Sequence, residues 1–222
     1  MPMLVTTKDC TALSDAELAE LADLGVEGCG FGIGFLSKER EEWVLVTTVR
    51  EGRKLRGYSF CTLERIGGTP SLLVGVASVG RTARAEAALR AMIGDQFRRA
   101  LLAFPDEDVL LGTRLLRPDG FRAFAGLADV VPMPDHRATG EERAWARRLA
   151  KRFGAETRLD DRTFVLRGDG SAAGGLDFAH PKVKVPDRVE ELFGEVDPER
   201  GDRLVAFGWA MAEDLAAGKF SK

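Results

Sequence analysis

The chain has 222 residues, a net charge of −3 and 45% hydrophobic residues, which is ample material for one large core. With no basic surplus and a pI near 5.6, nucleic-acid binding is not expected, and the arginine-over-lysine bias reads as genome composition. Three cysteines, Cys10, Cys29 and Cys61, form an odd set without CxxC spacing, which excludes a disulfide framework and a structural zinc site.

Residues Met1–Asp9 lack a basic stretch followed by an apolar run, so no signal peptide is expected. No segment reaches the roughly 18 apolar residues that a bilayer crossing requires. The expected setting is cytoplasmic, with no membrane partner. Ser14-Asp15-Ala16-Glu17 is a capping box, with Leu13 and Leu18 placed as a hydrophobic staple and Gly25 as a stop. These predict a first helix over Asp15–Leu24. Gly28 to Phe35 alternates glycine with larger residues and fits neither GxGxxG nor a P-loop. It is expected to be a loop, either closely packed or lining a cleft.

Trp43–Val49, Gly57–Arg65 and Leu72–Val79 are apolar or alternating runs separated by glycine turns, the pattern of an antiparallel meander. The third run is apolar on both faces and belongs mid-sheet. One glycine, Gly80, separates it from a proline-free amphipathic stretch, Arg84–Phe104. There Ala85, Leu89, Met92, Ile93, Phe97, Ala100, Leu101 and Phe104 recur at steps of three and four. A strand ending where a helix begins leaves backbone N–H groups aimed at one point, which suits an anion such as a phosphate.

A strand over Val109–Leu116 and a short helix from Pro118 follow. Val130-Val131-Pro132-Met133-Pro134 suits only an edge strand or coil, since proline cannot donate to a ladder. Thr139-Gly140-Glu141-Glu142 is a second capping box, opening a helix with Trp145, Leu149 and Phe153 on one stripe. Thr163–Arg167 reads as a short strand, Gly168–Gly175 as a flexible glycine- and serine-rich stretch, and Asp202–Ala217 as a last helix with Leu204, Met211 and Leu215 inward.

This order of helix, loop, meander, long helix after a central strand, strand and short helix resembles the GNAT superfamily of N-acetyltransferases over about residues 4–135. The resemblance implies that the central strand splays from its neighbour and pairs with the pantetheine arm of acetyl-CoA or another acyl-CoA. The following loop would wrap the pyrophosphate. Ala77 and Val79 correspond to the arm positions, and Gly80, Arg81, Thr82, Ala83, Arg84 and Ala85 to the pyrophosphate positions. The family loop reads Arg or Gln, two residues, Gly, one residue, then Gly or Ala. This chain keeps Arg81 but has Arg84 and Glu86 at the two small-residue positions. Arg84 offers a guanidinium fork suited to phosphate. Glu86 suits a helix dipole but competes with a bound pyrophosphate. Where the family carries a proton-returning tyrosine, Phe121 and Phe124 stand, and the lone Tyr58 lies on a meander strand.

By the same resemblance Glu64 is the candidate general base and Ser78 a candidate hydrogen-bond donor to a thiolate, with ordinary structural roles as alternatives. His136 and His180 have no partner at i+3 or i+4, so no metal site is expected. Cys29 reads as a small buried thiol, and the basic face from Arg143 to Arg152 as a solvated helix surface. The expected fold is α/β: a GNAT-like mixed, mostly antiparallel sheet of six or seven strands flanked by helices, with a helical C-terminal extension. Residues 1–135 form the core, and 136–222 either pack on it or form a small subdomain. Two functions follow from the resemblance and its departures. One is acyl transfer from acyl-CoA to a small-molecule amine. The other is an inactive GNAT-like fold serving as a binding or assembly module, its C-terminal part covering a sheet edge or making a homodimer contact.

Overall fold

The computed structural model describes residues 2–24, 30–182 and 184–220. The meander is present, and an edge strand, β1 (Met3–Asp9), is added to it. In chain order β2 (Leu45–Glu51), β3 (Lys54–Ile66) and β4 (Thr69–Val79) follow. These four strands pair antiparallel in succession. Gly67 and Gly68 turn β3 into β4 at φ 59° and 90°, backbone that glycine adopts without steric cost. From Pro70 onward β4 is buried at every position, as a mid-sheet strand must be.

α1 (Asp15–Leu24) begins at its capping box: the Glu17 amide donates to Ser14 Oγ at 3.3 Å, and the Ser14 amide donates to Glu17 Oε2 at 2.9 Å. The glycine-rich stretch is a loop only in part. Gly32 caps α2 (Ile33–Glu42), which buries Leu36. Gly25, Gly28 and Cys29 lie outside the described residues. α3 (Ala85–Ala103) buries the expected stripe across β1–β4, apart from half-buried Leu101, and ends at Phe104. It is the crossover that brings β5 (Val109–Leu115) parallel to β4. A 3-10 helix, Pro118–Phe124, leads to β6 (Ala128–Val131), which stops at Pro132. α4 (Gly140–Arg152) carries its complete capping box, Thr139 with Glu142.

The C-terminal part departs from expectation. Residues Asp202–Ala217 are not one helix: β10 (Arg203–Ala210) runs antiparallel to β5, from Leu204 opposite Leu115 to Ala210 opposite Val109. Only α6 (Ala212–Ala216) is helical. Residues 204–208 are all buried, so a strand covered on both faces has the continuous apolar character that also matches a buried helix. β7 (Leu159–Asp160) and β8 (Val165–Leu166) extend the same sheet beyond β10, and α5 (Asp187–Glu191) is a single short helix. The residues after the expected flexible stretch supply one more strand, β9 (Leu176–Asp177). Residues 136–222 thus contribute four strands besides α4, α5 and α6, and among the described residues the sheet has ten strands rather than six or seven. Its order is β1-β2-β3-β4-β9-β5-β10-β8-β7, with β6 beside β10. The sheet is mixed and mostly antiparallel, is flanked by helices, and has the meander β2–β4, α3 and β5 in the expected order.

Candidate functional site

The splay of β4 from β5 begins at a bulge. Phe60 of β3 faces Val76 and Cys61 faces Val74, leaving Gly75 as an extra residue on β4. A Cβ on Gly75 would lie 1.9 Å from Trp43, so only glycine fits. Side chains of β5 meet the carbonyls there: Thr113 Oγ1 donates to Val74 O at 2.8 Å, and Arg114 Nη2 to Gly75 O at 3.0 Å. Direct β4–β5 pairing ends at Val74 and Thr113.

The gap beyond is filled by the chain itself. Leu176 lies opposite both Ala77 of β4 and Leu115 of β5. The Ala77 amide donates to Gly175 O at 3.0 Å, and the Leu116 amide to Leu176 O at 3.2 Å. Leu176 and Phe178 are buried. The Gly168–Gly175 segment is therefore not free: Gly174 and Gly175 pass so close to Gly75 and Arg114 that a Cβ at either would fall within 2.7 Å of a backbone oxygen. The resemblance assigns the pantetheine arm to the edge of β4 at Ala77, and that edge carries a ladder hydrogen bond already.

The loop at Gly80–Arg84 is tightly knit. The amides of Gly80, Thr82, Arg84 and Ala85 donate to Arg56 O, Gly80 O, Thr82 Oγ1 and Thr82 O, respectively. These amides do not converge on open space, as the strand-to-helix junction alone suggested. Among the described residues Arg81 Nε and Nη2 are buried without a hydrogen-bond partner, and Arg84 Nε lies 3.5 Å from Glu51. Ala85 is buried in the first turn of α3. Glu86 accepts from Arg90 at 2.6 Å and Arg122 at 3.2 Å, and Arg90 above all holds its carboxyl below the usual range. An open groove of about 680 Å³ does run past Ala83, Arg84, Glu86, Arg90 and His180. Its floor is the helix, and a fixed carboxylate sits in it.

The two proposed catalytic groups are not brought together. Glu64 faces Ser71 in the β3–β4 register, while Ser78 faces Tyr58. Seven residues of strand, roughly 23 Å, separate the two ends. Glu64 accepts from Arg152 Nε of α4 at 2.7 Å, an ion-pair role. Ser78 is buried, and among the described residues its Oγ has no hydrogen-bond partner. Phe121 and Phe124 pack ring against ring, and Phe121 meets Phe193 edge-on at 6.3 Å; neither offers a proton.

Sequence reasoning missed another set of charges beside the filled splay. Arg114 is buried under the Phe153 ring, 4.5 Å from its centroid. Burial raises the pKa of Glu39, which accepts from Trp43 Nε1 at 2.7 Å. Asp177 is 2% exposed and accepts from Arg117 at 3.3 Å. The available signals were a single arginine inside the apolar run VLLGTRL and the Gly174-Gly175 pair followed by an apolar residue.

No protein-family model matches the chain and no curated protein matches it. Among solved structures it is similar to a chain of the NatC complex bound to Gag peptide and CoA, at 12% identity and TM-score 0.43, covering 63% of this chain and 87% of that one. It is similar to the ribosomal-protein-S18-alanine N-acetyltransferase from Escherichia coli at 11% identity and TM-score 0.38, covering 62% and 86%. For TTHA1254 from Thermus thermophilus the values are 16%, 0.34, 82% and 97%. The strand pairings themselves describe the architecture: a mixed, mostly antiparallel sheet whose β4–β5 splay is closed by the chain's own strand β9.

Proposed function

We propose that the protein is a GNAT-like binding module and does not transfer acyl groups in this folded form. The observation that carries the reading is β9, seated between β4 and β5 with the Ala77 and Leu116 amides donating to the backbone at Gly175 and Leu176. An acyl donor that pairs with β4 would have to displace those bonds and two buried side chains, Leu176 and Phe178. The separation of Glu64 from Ser78 along the hairpin supports the same conclusion, because general acid–base work needs groups within hydrogen-bond reach of one substrate. The groove beside α3 favours a second reading, in which acyl-CoA binds once β9 withdraws. There Arg84 and Arg90 would meet the phosphates and a small amine would be the acceptor.

Calorimetric titration with acetyl-CoA and a longer acyl-CoA tests the proposal. No heat and no rise in melting temperature at millimolar ligand is the expected result. Saturable binding that is lost in Arg84→Ala, with the fold intact, would overturn it in favour of the second reading.

A further inference from the structure

A separate cavity of about 180 Å³ lies under the loop that leads into β9. Its charged lining is Arg114, Arg158, Arg167 and Arg203 against Glu39 and Asp169, four cations to two carboxylates. Two of the arginines are otherwise occupied: Arg158 pairs with Asp169, and Arg167 with Asp202 and Glu195. The other two are not. Arg114 is 7% exposed, its Nη2 is held by Gly75 O, and its Nε has no hydrogen-bond partner. Among the described residues Arg203 donates only to the carbonyls of Ala173 and Asp202, and its Nε is likewise buried without a partner. Among the described residues, no carboxylate lies within ion-pair distance of either guanidinium.

A buried charge without a counter-charge costs several kcal/mol, and the usual escape is to neutralise. Arginine does not take it here: burial lowers the Arg114 pKa only to about 10, so the group stays charged at neutral pH. Glu39 offsets part of that charge from beyond contact range, as Asp177 and Asp202 do for Arg203. Carbonyl oxygens and the Phe153 ring add to this, and an anion entering the cavity would supply the counter-charge that they lack. The cavity's volume corresponds to about six waters and falls short of the roughly 300 Å³ that larger ligands need. That space is the size of a compact ion. Arginine forks match planar or tetrahedral oxyanions with paired N–H groups.

We propose that this cavity binds a compact dianionic oxyanion, inorganic phosphate or a short dicarboxylate, between Arg114 and Arg203, with Ala172–Gly174 closing over it. The site is independent of acyl-CoA, because it lies under the lead-in loop and uses none of the residues along α3. The test is titration of the wild-type protein with inorganic phosphate and, separately, malonate, against sodium chloride at matched ionic strength. Thermal shift and amide NMR are the readouts, and the two arms separate a phosphate site from a dicarboxylate site. Saturable binding of either anion is expected, with shifts centred on Arg114–Leu116, Ala172–Gly175 and Arg203. Arg203→Met should weaken it at least tenfold, while the surface control Arg188→Gln leaves it unchanged. Should Arg203→Met fail to fold, the wild-type shift map decides: perturbation at those residues supports the site, and perturbation elsewhere overturns it. No saturable response to either anion at tens of millimolar, or unchanged affinity in a folded Arg203→Met, also overturns it.

Discussion

Gly175→Ala probes how firmly β9 is held. Gly175 has φ 150°, and a Cβ there would lie 2.5 Å from Leu116 Cδ1 and 2.6 Å from Arg114 O. Burying Leu176 and Phe178 contributes about 5 kcal/mol, and the two hydrogen bonds from Ala77 and Leu116 add about 1 kcal/mol each. Fixing the backbone of Gly175–Phe178 opposes this by about 1–2 kcal/mol per residue. The two sides nearly cancel, so the strand is seated with little to spare. Backbone strain of about 1–3 kcal/mol at Gly175 is then enough to release it. The expected result is faster hydrogen exchange at the Ala77 and Leu116 amides than in the wild type, with the α3 amides still protected. Global stability should fall by about 2 kcal/mol, roughly 4–8 °C in Tm for a chain of this size. Unchanged protection at both amides together with an unchanged Tm would refute the reasoning. A Gly175→Ala protein that takes up acetyl-CoA, when the wild type does not, would show that the closed splay is a gate.

Three further outcomes are expected. The Asp202 carboxyl is held well below the usual carboxylate range by Arg200 first, with the Gly168 and Asp197 amides and Arg167 adding to it against the cost of burial. Its contribution is complete above the unfolded-state value near 4 and is lost as pH falls toward the depressed folded value. Asp202→Asn should therefore cost about 3 kcal/mol at pH 7 and flatten the acid limb below about pH 4, read by urea melts across pH. Gly75→Ala meets Trp43 at 1.9 Å and should destabilise by about 3 kcal/mol, whereas Gly140→Ala has nothing within 4 Å and should change Tm negligibly. Burial pushes the Cys10 and Cys61 thiols up to about 12. Neither should be alkylated by iodoacetamide at pH 8 until urea is added, as mapped by mass spectrometry.

The elements legible in the sequence are those whose signals are local. Both capping boxes lie within four residues, and each forms as written, at Ser14–Glu17 and Thr139–Glu142. The stripe on α3 repeats within one helix, and the meander turns on adjacent glycines. From these the α/β class, α1, the meander, α3 and β5 can be derived, while α2 and β1 were not read. The candidate site was legible only as a place, the end of β4. Its chemistry was not, because Glu64 and Ser78 are related by strand register, which no spacing in the sequence states.

What the sequence alone determined is the set of segments able to bury one face, because helix and hairpin periodicities are written in consecutive residues. Tertiary structure alone decided that residues 175–178 lie beside Ala77, far from it along the chain, and that Arg203–Ala210 joins β5 as a strand. Both depend on which open backbone edge is nearest once the core has closed. Edges are satisfied by whatever segment reaches them, since an unpaired buried N–H or C=O is costly, and that choice is made in space rather than along the chain.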